Sequence, residues 1–372
     1  MPEPPFPPDV VQQSPSAPVG VLSVRPQLTP MLARLARELP GDGYLFEPKW
    51  DGFRCLVFRE GDDVDLRSRH DRPFSRYFPE LVAAFRSLHD EPFVLDGEIV
   101  VVTPDGFDFP ALLARLHPAS SRVERLRREA PAEFICFDVL AAGGRDLRDL
   151  PFVERRDELE RLLAGASRPL HATTITRDRV VAAEWLADFH GGGVDGVVAK
   201  HESLRYEPGK RRMVKVKRDR TIDCVVGGFR WFASTPIVSS LLLGLYDESG
   251  RLEHVGVVTS FTREQRLELT ALLRPRIVAL EGHPWEGGFL VVGGSLGRLK
   301  GAPGRWTPDM ARDWEPLDPV LVCEVGYDQV DGRRLRHPAR FRRWRPDREA
   351  RSCSMDQLSI ATPGVDELLA GR

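Results

Sequence analysis

The texture of the chain changes once, after Lys217, and that change limits the folds open to it. Before that point, short apolar runs alternate with stretches of helical spacing; beyond it, β-like runs follow one another closely. In the first part Leu45-Phe46-Glu47, Cys55-Leu56-Val57-Phe58 and Val64-Asp65-Leu66 read as strands joined by Asp-Gly and Gly-Asp-Asp turns. Tyr77, Phe78, Leu81, Val82 and Phe85 have helical spacing, and Phe93-Val94-Leu95, Ile99-Val100-Val101, Phe134-Ile135-Cys136-Phe137 and Val197-Val198-Ala199 read as further strands. In the second part Cys224-Val225-Val226, Ser240 to Leu245, Val255 to Val258 and Val320 to Val325 suit a small barrel, interrupted by one helix from Thr262 to about Ala279. The charged connector Arg218-Asp219-Arg220 marks the boundary. The expectation is an α+β domain of mixed antiparallel sheets with helices over residues 21–218 and a β-barrel domain over 219–358. A Pro-, Gln- and Ser-bearing arm, 1–20, has no apolar periodicity and is expected to be disordered; 359–372 form a tail.

Several function classes fall away on composition. Five cysteines, Cys55, Cys136, Cys224, Cys323 and Cys353, lie far apart with no Cys-x-x-Cys pair, which argues for reduced core thiols over a zinc site or disulfide framework. No run reaches the ~18 apolar residues of a membrane span, and the N-terminus lacks a basic then apolar leader, so a soluble, cytoplasmic protein is expected. A net charge of −2 hides large numbers of both signs and leaves nucleic acid open.

The basic residues are far from evenly chosen. The chain has 47 arginines and six lysines, and Lys49, Lys200, Lys210, Lys215 and Lys217 are five of the six. Arginine stays protonated, whereas a lysine amine can lose its proton and attack an electrophile. Lys49 is the prime candidate, in Glu47-Pro48-Lys49-Trp50-Asp51-Gly52-Phe53-Arg54. Taken alone, this segment is equally well a turn after a strand. Its ordered company changes the odds: Ser68-Arg69, Asp96-Gly97-Glu98-Ile99, Phe137-Asp138-Val139-Leu140, Asp195-Gly196-Val197-Val198-Ala199-Lys200, Lys215-Val216-Lys217 and Arg345-Pro346-Asp347-Arg348.

This series, in this order, resembles the covalent nucleotidyltransferase superfamily of DNA ligases, RNA ligases and capping enzymes, over nearly everything from Val21 to Leu358. Within it the chain is most similar to bacterial ATP-dependent DNA ligases of the small actinobacterial LigC type, through His254-Val255-Gly256-Val257 and the block from His337 to Arg348. The resemblance implies a nucleotidyltransferase (adenylation) domain followed by an OB-fold domain, ATP as substrate, Mg²⁺ or Mn²⁺, and nicked duplex DNA as partner. It further implies DNA-repair proteins as possible company, a monomer, and a nucleoid-associated place in the cytoplasm.

Lys49 then becomes the nucleophile, its pKa lowered by neighbouring cations, Mg²⁺ and partial burial. Lys200, Lys215 and Lys217 would supply cations to the α-phosphate; solvated positions on an exposed strand would also account for Lys215 and Lys217. Glu98 and Asp195 suit hydrated Mg²⁺ or ribose hydroxyls, with Asp195 standing where the family usually has Glu. Phe137 would stack on adenine or simply pack in the core. By resemblance Glu47 reads the adenine amino group, Arg54 and Arg69 contact ribose or the nick phosphate, and Arg345, Asp347 and Arg348 close over the leaving pyrophosphate.

The basic stretches 122–128, 210–220 and 333–348 are expected to grip DNA phosphates. The stretch 293–300 lacks the Gly-Lys-Ser/Thr ending of a phosphate loop and reads as a hairpin. An RNA ligase, a GTP-using capping-type enzyme and a non-catalytic nick-binding scaffold remain as alternatives.

Overall fold

Two sheets of the first domain meet face to face, and the chain passes from one to the other through Trp50-Asp51-Gly52. The computed structural model describes residues 21–88, 91–103, 106–116, 119–188, 194–232, 235–286 and 314–358. The expected arm 1–20, the hairpin at 293–300 and the tail 359–372 lie outside the described residues. One sheet has four strands in the order Leu32–Ala36, Arg211–Val216, Val194–His201, Tyr44–Trp50. The first pairing is parallel and the other two are antiparallel. The larger, seven-stranded sheet runs Asp63–Ser68, Phe53–Glu60, Phe93–Thr103, Ala132–Ala142, Arg145–Asp146, with Gly106–Phe107 and Leu170–Ala172 attached to its side.

This sheet is covered on both faces, which explains why its central strands are apolar runs and not alternating patterns. Ile99, Val101 and Phe134 pack with Leu81 and Phe85 of the helix Pro79–Leu88 and with Leu159 and Leu162 of the helix Phe152–Leu162. Val100 and Ile135 point the other way, against Phe46, Trp50, Val197 and Val214 of the smaller sheet. The runs at Phe93 and Ile99 belong to one continuous strand carried through Asp96-Gly97-Glu98. Gly52 is required at the crossing, since a Cβ there would sit 2.1 Å from the Ile99 carbonyl oxygen.

The second domain orders its strands Leu252–Val258, Thr235–Tyr246, Arg220–Phe232, Val322–Tyr327, Arg340–Trp344, all antiparallel, with Glu315–Pro316 attached. Ala339 N–H donates to the Val257 carbonyl at 2.8 Å, joining the two ends of the sheet. In chain order this is a 3-2-1-4-5 sheet closed between its third and fifth strands, the OB-fold barrel. The helix Arg263–Leu273 enters between the third and fourth, opened by a capping box of Thr262 and Gln265. It stops short of the expected Ala279: Pro275 lacks an N–H and cannot continue it. All five cysteines are buried free thiols, and among the described residues no helix is long and apolar enough to cross a membrane.

Candidate active site

Where the chain crosses between the sheets there is a cleft of about 230 Å³ lined by Glu47, Lys49, Arg54, Arg69, Glu98, Phe137 and Lys215, with Val198, Arg211 and Met213 among the remaining walls. Strand periodicity accounts for much of this. Glu47 and Lys49 are two apart on one strand, Met213 and Lys215 two apart on another, so each pair faces the same side.

Lys49 Nζ lies 2.8 Å from Asp195 Oδ2, and Lys217 Nζ lies 2.6 Å from the same oxygen. Burial pulls the Lys49 amine's pKa down, but the charge and hydrogen bond of Asp195, with Asp51 and Glu98 behind it, outweigh burial and hold it above the ordinary lysine value. The sequence led us to expect a depressed pKa; the structure raises it instead, because the Asp195 carboxylate pairs directly with the ammonium group. Burial would push the Asp195 carboxyl up, and the two lysines more than offset it. Among the described residues no carboxylate pairs with Lys215, and burial and then the charges of Lys49 and Lys217 hold its pKa down. Asp195 reaches this place because Gly196 sits at φ +131 with no room for a Cβ, which would be 2.2 Å from the Val216 carbonyl.

Across the cleft, Glu98 accepts from the Gly52 N–H at 3.1 Å, and burial pushes its carboxyl up to about 8. Arg54 forks onto Asp96 at 2.9 and 2.6 Å, the Tyr206 hydroxyl donates to the same carboxylate at 2.6 Å, and the guanidinium lies 5.2 Å from the centre of the Phe137 ring.

Lys200 is placed differently from the phosphate-facing position expected of it. It is 1% exposed, behind the cleft, donating to the Phe137 carbonyl at 2.7 Å and to Glu47 Oε1 at 3.0 Å, between the rings of Phe137 and Phe152. Glu47 is buried, which raises its pKa against the pull of Lys200, and its Oε2 has no hydrogen-bond partner among the described residues. Behind Lys200, Asp138 is forked by Arg155 at 2.8 and 3.0 Å, and Arg155 also donates to the carbonyls of Leu150 and Leu204.

The remaining expected residues lie elsewhere. Arg345 pairs with Asp223 and Asp347, Arg348 lies 3.4 Å from Asp223, and none of the Arg345-Pro346-Asp347-Arg348 side chains lines the cleft. From the second domain Arg336, expected only as part of the DNA-gripping stretch 333–348, touches the Lys49 segment. It donates to Asp51 Oδ2 at 2.7 Å and its guanidinium stacks 3.3 Å from the centre of the Phe109 ring. A second cavity of about 310 Å³ adjoins this contact, lined by Asp51, Asp195, Phe107 and Phe109 on one side and Arg220, Gln329 and Arg336 on the other.

The 122–128 stretch falls in the helix Ser120–Glu129, where Arg127 and Arg128 pair with Glu124 and Arg125 with Glu129. No group of three or more His, Cys, Asp or Glu side chains among the described residues forms a metal cage. The oxygen donors present, Glu98 with Asp195 nearby, fit a hard cation that arrives with phosphates, as Mg²⁺ does when it uses one or two carboxylates and keeps its other positions for phosphate and water.

Comparison with known proteins adds the following. The model of the ATP dependent DNA ligase domain matches residues 27–217, and that of the ATP dependent DNA ligase C terminal region matches residues 234–348. DNA ligase C of Mycobacterium tuberculosis (strain ATCC 25618 / H37Rv) is 46% identical over 342 residues, covering 91% of this chain and 95% of that protein. DNA ligase C2 of Mycolicibacterium smegmatis is 46% identical over 339 residues, covering 91% and 96%. The solved structure Pmar-Lig_PreS3 is 16% identical with a TM-score of 0.54, covering 85% of this chain and 68% of that one, a likeness of fold alone.

Proposed function

Because the chain belongs to the family of ATP-dependent DNA ligases, we propose that Lys49 carries AMP and that the cleft around it is the nucleotide site. The observation that supports this best is the convergence of Glu47, Lys49, Arg54, Arg69, Glu98, Phe137 and Lys215, from separate stretches of chain, on one cleft. In the first step Lys49 Nζ, having given up its proton, attacks the α-phosphorus of ATP; an N–P bond forms as the bond to pyrophosphate breaks. AMP then passes to the 5′-phosphate at a nick, and the 3′-hydroxyl displaces it to seal the strand.

The residues divide the labour by position. The free Oε2 of Glu47 would accept from the exocyclic amine of adenine, whereas the carbonyl at the same place on guanine would meet it lone pair to lone pair. This favours ATP over GTP, and with it a ligase over a capping-type enzyme. Lys200 holds Glu47 and Phe137 in place from behind, and Arg54, fixed by Asp96 and Tyr206, faces the ribose side. Lys215 and Lys217 supply fixed positive charge where the phosphates would lie. Glu98 would hold a Mg²⁺ or Mn²⁺ ion, with Asp195 available once it releases its lysines; the ion would neutralise charge on the phosphates. Because Asp195 holds Lys49 as an ammonium ion, binding of substrate must weaken that pair before the amine can react.

The acceptor in this reading is nicked duplex DNA, gripped through phosphates, and the enzyme works in DNA repair as a monomer in the cytoplasm. Incubation with α-labelled ATP or GTP and Mg²⁺, followed by denaturing electrophoresis of the native chain and Lys49→Ala, tests the proposal. A label from ATP that survives denaturation and is lost in the variant is expected. A folded, unadenylated chain that takes no label would leave a nick-binding scaffold instead.

A further inference from the structure

Asp223 lies on the first strand of the barrel, facing Glu324 on the neighbouring strand. Two like charges at facing positions repel, and the arrangement is relieved by a guanidinium placed against them. Arg345 Nη1 donates to both oxygens of Asp223, at 3.0 and 2.9 Å, and lies 3.9 Å from Glu324 Oε2. Asp223 is 6% exposed, and its backbone is clasped on both sides by Gln357, whose Oε1 accepts from the Asp223 N–H and whose Nε2 donates to the Asp223 carbonyl, each at 3.0 Å. Its carboxylate is therefore a fixed point. The other edge of the same guanidinium, Nε and Nη2, is occupied by Asp347 at 3.0 and 2.9 Å, a side chain that is 61% exposed and free to turn into solvent.

From this asymmetry we infer that Asp223 is a positioning residue for the adenylation step. It anchors one edge of Arg345 so that the opposite edge, once Asp347 turns away, is presented at a set angle to the leaving pyrophosphate. A bidentate guanidinium edge matches two phosphate oxygens only when its plane is held, and the buried carboxylate holds it. The inference rests on the reading of Arg345 as a pyrophosphate-contacting residue.

The test compares two steps in the full chain: self-adenylation as a function of ATP concentration, and sealing of a preadenylated nick without ATP. Asp223→Asn is expected to slow maximal adenylation on the order of 10- to 100-fold, with the KM for ATP and the sealing of the preadenylated nick within about twofold of the native chain. Asp223→Glu should recover part of the rate, and Asp223→Asn combined with Arg345→Ala should be no slower than Arg345→Ala alone. Equal damage to both steps, or full additivity in the double variant, makes Asp223 merely structural and overturns the inference. Arg345→Lys keeps the charge but cannot fork onto both oxygens, so it decides the matter if Asp223→Asn does not fold; adenylation at the native rate would overturn it. A slow Arg345→Ala beside a native-like Asp223→Asn removes the role of Asp223 alone, whereas a native-like Arg345→Ala removes the reading of Arg345 as well.

Discussion

Replacing Glu98 by Gln should stabilise the free protein at high pH while damaging its chemistry. Burial raises the Glu98 carboxyl from its ordinary 4.5 to about 8. Between those values the unfolded chain has released the proton and the folded chain has kept it, so stability falls as pH rises from about 4.5 and reaches its floor above about 8. Each tenfold change in acidity corresponds to about 1.4 kcal/mol, which would make the full difference on the order of 5 kcal/mol. Glu98 is only half-buried and borders an open cleft, so solvent screening reduces this to about 1–2 kcal/mol. Gln retains an oxygen that can accept from the Gly52 N–H, as Glu98 does at 3.1 Å, and removes the charge. Thermal melts of the unadenylated protein in a chelator should show Glu98→Gln melting about 3–6 °C above the native chain at pH 9 and close to it at pH 5. Adenylation by the variant should be slow at both. A variant less stable than the native chain at pH 9, or a gap of equal size at both pH values, would refute the reasoning.

Four further outcomes follow from the geometry. Gly52→Ala forces a Cβ to within 2.1 Å of the Ile99 carbonyl, so a loss of about 1–3 kcal/mol in chemical denaturation and little adenylation are expected. Arg155→Met strands the buried Asp138 carboxylate and should cost about 3–5 kcal/mol; a loss below ~1 kcal/mol would mean that Lys200, now 3.9 Å from Asp138, can replace Arg155. Arg336→Ala removes the Asp51 ion pair and the Phe109 stack, and small-angle scattering should report a larger radius of gyration; an unchanged radius would show that this contact does not hold the domains together. Nick binding should weaken by roughly 100-fold or more between about 50 and 200 mM salt, and a flat titration would rule out phosphate contacts as the grip.

Much of this was legible in the sequence where a residue's chemistry and its place on a strand say the same thing. Lysine is rare in this chain, so Lys49 and Lys215 stood out, and both line the cleft. The barrel could be read from its closely spaced β runs, and the helix expected from Thr262 does begin there, with Thr262 as its N-cap. What was not legible depends on long-range contacts. Tyr206 meets Asp96 across 110 positions of chain, and Arg155 and Arg336 are each one arginine among 47, distinguished by a partner that only folding supplies. Lys200 is the last residue but one of its strand, in a segment that gave no sign of complete burial, yet Glu47, Asp138 and two aromatic rings enclose it. The helix expected to reach about Ala279 is a different case, since the Pro275 that stops it is itself visible in the sequence.

The burial of every cysteine makes the protein convenient to instrument. Buried thiols whose pKa is raised react slowly with maleimides, so no cysteine-free background has to be built. Val180, 64% exposed on a helix of the first domain, and Leu267, 52% exposed on the helix of the barrel, can each be changed to Cys to carry one dye of a fluorescence pair. Energy transfer between them would report the separation of the two domains as ATP, pyrophosphate and nicked DNA are added in turn.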